Sequence, residues 1–186
     1  MAENRKFKLE RLIPEPDILY SVIYDGKKKS EFDKLFDHWD DPYWLHKFFT
    51  ANLADLKNDA WGGITISNAV RDTRKQAKEM KRTILNIANG ESKDFKYLSD
   101  YFKPLTDGKI GKFEWDKGKG LLSHNWLRIY AIRCSKNTYV ITGGGIKLTR
   151  DMSPPHLKAE LLKLKQAEDY LRSGDDEQID LCNLDD

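Results

Sequence analysis

Residues 126–147 read W-L-R-I-Y-A-I-R-C-S-K-N-T-Y-V-I-T-G-G-G-I-K, and the rest of the chain arranges itself around that stretch. Leu127, Ile129 and Ala131 alternate with Arg128, Tyr130 and Ile132, the period of two that sends successive side chains to opposite faces of a strand. From Thr138 to Thr142 every residue is β-branched, aromatic or both in character. The polar Ser135-Lys136-Asn137 between the two runs makes them an antiparallel hairpin, placed at the centre of a sheet.

Toward the N-terminus, Ile18 to Tyr24 has strand composition and is closed by the turn pair Asp25-Gly26, so it adds a strand to that sheet. Arg5 to Pro14 is polar with scattered apolar residues and suggests no element. Ser30 is placed to cap a helix whose Phe32, Leu35, Phe36 and Trp39 recur at helical spacing. Asp41-Pro42 opens a second helix that buries Leu45, Phe48, Phe49, Leu53 and Leu56. Trp39, Tyr43, Trp44, Phe48 and Phe49 invite comparison with a base-stacking platform, but most lie on one helical stripe and read as core.

The Trp61-Gly62-Gly63 loop leads to the longest helix, capped by Ser67 and ended by Asn89-Gly90. Its apolar stripe is Val70, Ala77, Met80, Ile84 and Ile87. Arg71, Arg74, Lys75, Lys78 and Arg82 fall on a different face. Such a row suits phosphates, and it equally suits a solvated face with Asp72 and Glu79 as partial partners.

Residues 106–120, T-D-G-K-I-G-K-F-E-W-D-K-G-K-G, are too rich in glycine for a long helix. They predict turns and a short strand around Phe113 to Trp115, with Lys109, Lys112, Lys117 and Lys119 next to the central sheet. After the hairpin, Ser153-Pro154 starts a final helix with Leu157, Leu161, Leu164 and Leu171 on its apolar face, ended by Gly174.

With 186 residues, 39% hydrophobic and 33% charged, the chain fits one globular domain over residues 1–173. No apolar run approaches the ~20 residues of a membrane span, and the first residues lack a signal-peptide pattern, so a soluble cytoplasmic protein without a membrane partner is expected. Residues 174–186 hold six acidic side chains and no Lys or Arg, which leaves 32 basic against 24 acidic groups in the body. A basic body suits a polyanion; the tail either competes for that surface or is a solvated, disordered end. Cys134 and Cys182 form no disulfide framework or metal site and read as one buried and one exposed thiol. His38, His46, His124 and His156 have no metal-ligand spacing, Gly143-Gly144-Gly145 lacks the P-loop spacing, and no G-x-S-x-G elbow occurs. The three glycines instead kink or bulge a strand, or let another backbone come close.

L-R-I-Y-A-I at 127–132, followed by Y-V-I-T-G-G-G-I-K-L-T-R-D-M-S-P-P-H-L-K-A-E-L at 139–161, resembles the C-terminal half of RelE/HigB-type toxins of bacterial toxin–antitoxin systems. The likeness spans roughly Lys103 to Leu171. It implies an α+β fold: a small twisted antiparallel sheet of RelE/ParE type, here over residues 103–173, with the helical residues 30–102 as an N-terminal elaboration packed on it. It also implies cleavage of mRNA, often on the ribosome, without metal or cofactor, and inhibition by a cognate antitoxin.

Within that resemblance Arg128 matches the arginine of the family's R-I-x-Y strand, Tyr130 its aromatic residue, and Lys147 the first lysine of its K-K-T segment. The second lysine is Leu148 here, and Arg150, on the same side of an extended chain, stands in for it. Arg128 and Lys147 are therefore the first catalytic candidates, with Arg150 and Tyr130 after them; Tyr139 and His124 are further candidates for proton transfer or stacking. Lys117, Lys119, Arg133 and the basic helix would position the RNA backbone, and losing Arg74 and Lys78 together is expected to flatten the salt dependence of binding by ~2 units. The alternatives are a non-catalytic toxin-fold module that binds RNA or protein, and an interaction protein whose basic helix takes an acidic partner.

Overall fold

The structure, a computed structural model, describes residues 7–16, 18–105, 114–120 and 125–173. The expected hairpin forms: β5 (Leu127–Arg133) pairs antiparallel with β6 (Tyr139–Ile146) at the middle of a six-stranded sheet. The full order is β1-β2-β6-β5-β4-β3, with β1 Lys8–Arg11, β2 Leu19–Ile23, β3 Lys103–Pro104 and β4 Glu114–Lys119. The 106–113, 121–124 and 174–186 segments, with Lys109, Lys112, His124 and Cys182, lie outside the described residues.

The sheet is mixed, which corrects the expectation of an antiparallel one. β2 runs parallel to β6, with Leu19 opposite Tyr139 and Ser21 opposite Ile141. More than a hundred residues separate these strands, so no tight hairpin dictates their direction, and a parallel pair is open to such a long crossover. β1, at the outer edge, pairs antiparallel with β2; its short charged K-L-E-R sequence gives no periodic signal.

Alternation along β5 sorts two cores onto the two faces of the sheet. Leu127, Ile129 and Ala131 join the larger cluster with Phe32, Trp39, Phe49, Met80 and Ile84, whereas Tyr130 and Ile132 join Leu164, Ala167 and Leu171. The first face is covered by α1 (Glu31–Asp40), α2 (Pro42–Ala51), the single turn α3 (Leu53–Leu56), α4 (Ile66–Ala88) and α5 (Leu98–Tyr101); the second by α6 (Pro155–Ser173). Fully burying a Phe, Leu or Met contributes ~1.5–3 kcal/mol, and the larger cluster supplies most of that total.

Local sequence sets the helix ends. Ser30 accepts from the Asp33 amide at 3.4 Å, and Asp41 accepts from the amides of Tyr43 (2.8 Å) and Trp44 (3.3 Å) ahead of α2. The helix expected to reach Leu56 breaks at Asn52. For α4 the cap is Thr65, whose hydroxyl accepts from the Asn68 amide at 3.2 Å, and Ser67 lies inside the first turn. Trp126 is wholly buried; its indole donates to Thr73 at 2.9 Å and its ring meets Phe49 and Trp61 edge-on, which locks α4 to the start of β5.

The strand bulges at the edge of the glycine run, as expected, and the neighbours of Gly143 and Gly145 are side chains of α6. Tyr130 pairs with Gly143 but Ala131 with Ile141, so Thr142 is the extra residue of a bulge. Beyond it, Gly143 lies beneath Glu160 and Gly145 beneath Leu157, letting α6 sit close to the strand. Cys134 is disulfide-bonded rather than a buried thiol. No helix among the described residues is long and apolar enough to cross a membrane.

Candidate active site

Register across the sheet assembles the site. In β4 and β5, Lys117 lies opposite Tyr130 and Lys119 opposite Arg128, and in β6 the partners of Arg128 and Tyr130 are Gly145 and Gly143. Directly paired residues share a face, so Lys117, Lys119, Arg128 and Tyr130 all project to the α6 side. The loop from β6 to α6 adds Lys147, Arg150 and Met152, and with Leu105 these residues line a cavity of about 250 Å³.

Among the described residues, five cations and no carboxylate line that space. Like charges directly opposite one another in a ladder are destabilising, yet Lys119 and Arg128 are such a pair. The glycines opposite Arg128 and Tyr130 contribute no side chain to fill it. The arrangement costs stability in the free protein and is the charge pattern of an anion site.

Hydrogen bonding separates the cations by role. Arg128 donates Nη1 to the carbonyls of Asn125 (2.6 Å) and Leu127 (2.9 Å), which fixes its plane and leaves Nε and Nη2 without a partner among the described residues. Lys147 donates Nζ to the carbonyls of Thr149 (2.6 Å) and Arg150 (2.5 Å), so it staples the loop that carries Arg150. The side chains of Lys117, Lys119 and Arg150 make no hydrogen bond or ion pair with described residues.

Burial, and then the charges of Arg128 and Lys117, push the Lys119 ammonium below its ordinary range. Lys147 is lowered by burial, by Arg128, Lys117 and Lys119, and partly restored by Asp151. Burial likewise lowers Arg128, against the pull of Tyr130 and Tyr101. Tyr130 is buried outright, and that burial raises its phenol well above the usual range, so it is neutral at physiological pH; its hydroxyl donates to the Met152 sulfur at 3.4 Å.

Six of the residues singled out from sequence thus meet in one cavity: Arg128, Lys147, Arg150, Tyr130, Lys117 and Lys119. The others do not. Arg133 closes β5 at the far end of the strand, where Nε donates to the Ser135 carbonyl at 3.4 Å. Tyr139 is buried on the opposite face and donates to Asp116 at 2.9 Å. Arg71, Arg74, Lys75, Lys78 and Arg82 lie on α4, which packs on the other face of the sheet; Arg71 pairs with Asp72, and Arg74 and Lys78 with Asp40 at 3.1 and 3.9 Å. The sheet stands between them and the cavity, so they do not extend the same site. The aromatic group also divides: Trp39 and Phe49 are core, whereas Tyr43 is 72% exposed.

Leu105 and Met152 complete the cavity and carry no periodic signal in the sequence. Also absent from the sequence reading is a buried charge cluster between α1 and α6. Lys163 bonds Glu31 at 3.0 Å and Glu160 at 2.9 Å, Lys34 pairs with Glu31, and Tyr24 donates to the Thr142 carbonyl beside them. Only the i,i+3 spacings of Glu31 with Lys34 and Glu160 with Lys163 hint at it.

Compared with known proteins, the chain matches no family model, no curated protein and no solved structure.

Proposed function

We propose that this chain is a metal-independent endoribonuclease toxin of the RelE/HigB kind, which cleaves mRNA and is neutralised by a cognate antitoxin. The observation that carries the reading is the cavity itself, in which Lys117, Lys119, Arg128, Lys147 and Arg150 converge with no acidic side chain among the described lining residues. Its RelE-like features are the paired central strands, the closing helix and the arginine strand that faces the cations.

The chemistry runs on side chains. The 2′-hydroxyl of one nucleotide attacks the adjacent phosphorus, its proton passes to a base, and the bond to the leaving 5′-oxygen breaks, giving a 2′,3′-cyclic phosphate and a 5′-hydroxyl. Lys119 is the base this geometry favours, since its pKa is depressed and no described residue holds its Nζ. The fork of Arg128, fixed on one edge and open on the other, clamps the phosphoryl oxygens as charge grows on them. The ammonium of Lys117, two residues along the same strand face, protonates the leaving oxygen. Lys147 acts by holding Arg150 in place, and Tyr130, neutral and buried, forms wall rather than base.

A second reading, RNA binding without cleavage, is favoured by the engagement of Lys147 with its own loop. Inducible expression separates the two. Growth arrest with loss of mRNA from the wild type, absent from an Arg128→Ala, Lys119→Ala double variant and relieved by the neighbouring reading frame, supports the nuclease. Salt-sensitive RNA binding with intact mRNA supports the binding module.

A further inference from the structure

The charge count in the cavity exceeds what its proposed substrate needs. An internal phosphodiester carries one negative charge, whereas the described residues of the cavity present five cationic side chains and no carboxylate. Asp151, the acid that acts on Lys147, is exposed and committed to Ser153, with its Oδ1 accepting from the Ser153 amide (3.0 Å) and hydroxyl (2.6 Å). Lys119 and Arg128 stand opposite each other with free donors, and Lys117 and Arg150 flank them without partners. Among the described residues, no side chain discharges this cluster.

From this geometry we infer that the cavity is a dianion site that holds a phosphomonoester in preference to a phosphodiester, so that inorganic phosphate or the 3′-phosphate end of an RNA occupies and inhibits it. The inference rests on the nuclease reading only for the word inhibits; the binding preference stands on the cavity alone. A phosphomonoester is a dianion above about pH 6, and its second charge meets cations that a diester leaves uncompensated. The cavity, at about 250 Å³, admits a phosphate with its ester group. Burial, and then the neighbouring cations, depress the pKa values of Lys119 and Lys147, and an anion placed among them would raise both.

The test compares methyl phosphate with dimethyl phosphate, which differ chiefly in charge, by calorimetric titration into the full chain at pH 7.5. The expected result is a preference of ~10-fold or more for methyl phosphate, abolished in Lys117→Ala and in Arg150→Ala, two variants that guard against one failing to fold. Equal affinity for the two esters overturns the inference, as does a preference that both variants retain. Sulfate, a dianion at every pH used, should keep its affinity at pH 5.5 while methyl phosphate loses most of its own; parallel loss of both counts against a charge-selected site.

Competition distinguishes the sources. A short oligonucleotide with a 3′-phosphate that displaces methyl phosphate at ~10-fold lower concentration than inorganic phosphate marks the RNA end as the occupant, whereas equal potency marks the free anion. Dianion preference in a protein that cleaves no RNA would remove the nuclease and leave this site; RNA cleavage untouched by saturating phosphate would do the reverse.

Discussion

Gly143 and Glu160 occupy a space with room for one side chain: a β-carbon at position 143 would lie 1.9 Å from Oε2 of Glu160. Glu160 cannot swing aside cheaply, because its other oxygen is held by Lys163 at 2.9 Å, and Lys163 is held in turn by Glu31. Gly143→Ala should therefore destabilise the fold by ~1–3 kcal/mol, the range for overpacking. Adding Glu160→Ala should recover part of that loss. A denaturant midpoint for Gly143→Ala equal to wild type would show that α6 is free to move off the strand.

Glu160 also makes the fold sensitive to pH. Burial raises its pKa, as Glu31 does more weakly, against the pull of Lys163 and Lys34. A carboxyl whose pKa is higher folded than unfolded binds more protons in the folded state, so its contribution is present at low pH and is lost as pH rises through the folded value. The stability difference between wild type and Glu160→Gln should move in favour of wild type as pH falls from ~7 toward the ordinary glutamate range. Thermal melts of the two proteins across that range check it, and a constant difference would mean that Glu160 is not strained by burial.

Lys119 predicts the opposite slope. Its pKa is lowered in the fold, so the unfolded chain binds the proton more readily and the cost of holding the charge is greatest at neutral pH, fading as pH rises toward the ordinary lysine range. Lys119→Met, which keeps the aliphatic stem, should be more stable than wild type at pH 7 and should lose that advantage near pH ~10.5. The same variant should cleave RNA ~10²-fold more slowly, the lower range for a lost general base. Stability and activity falling together would make Lys119 a structural residue.

Salt dependence separates the two basic surfaces. Replacing Lys117 and Arg150 by alanine should reduce the slope of log affinity for RNA against log salt by ~2 units. Replacing Arg74 and Lys78, on the far face and paired with Asp40, should leave the slope within ~0.5 of wild type. Fluorescence anisotropy at several salt concentrations reads both. An equal loss from both pairs would place the RNA around the edge of the sheet rather than in the cavity.

The central hairpin was legible because its signals are local: alternation in 127–132, β-branched residues in 138–142 and a polar turn. The caps at Ser30 and Asp41 were legible for the same reason. Six cavity residues could be named because the resemblance fixed Arg128, Tyr130, Lys147 and Arg150, and the glycine-lysine run fixed Lys117 and Lys119 beside the sheet. β1 was not legible because its short charged sequence carries no period; the parallel pairing of β2 with β6 and the Glu31–Lys163–Glu160 cluster were not, since each joins segments far apart in the chain and depends on tertiary register. The basic row of α4 shows the converse limit: helical spacing gathers cations on one face but does not say which side of the sheet the helix will cover.

The most direct test is the chemistry of RNA ends. Purified protein and an Arg128→Ala, Lys119→Met double variant would be added separately to a translating extract, and the transcript's new ends mapped and characterised. The account predicts internal cuts with 2′,3′-cyclic phosphate and 5′-hydroxyl ends from the wild type, and cutting reduced by ~10²-fold or more in the double variant. An intact transcript with wild-type protein, or equal cutting by both proteins, would contradict it.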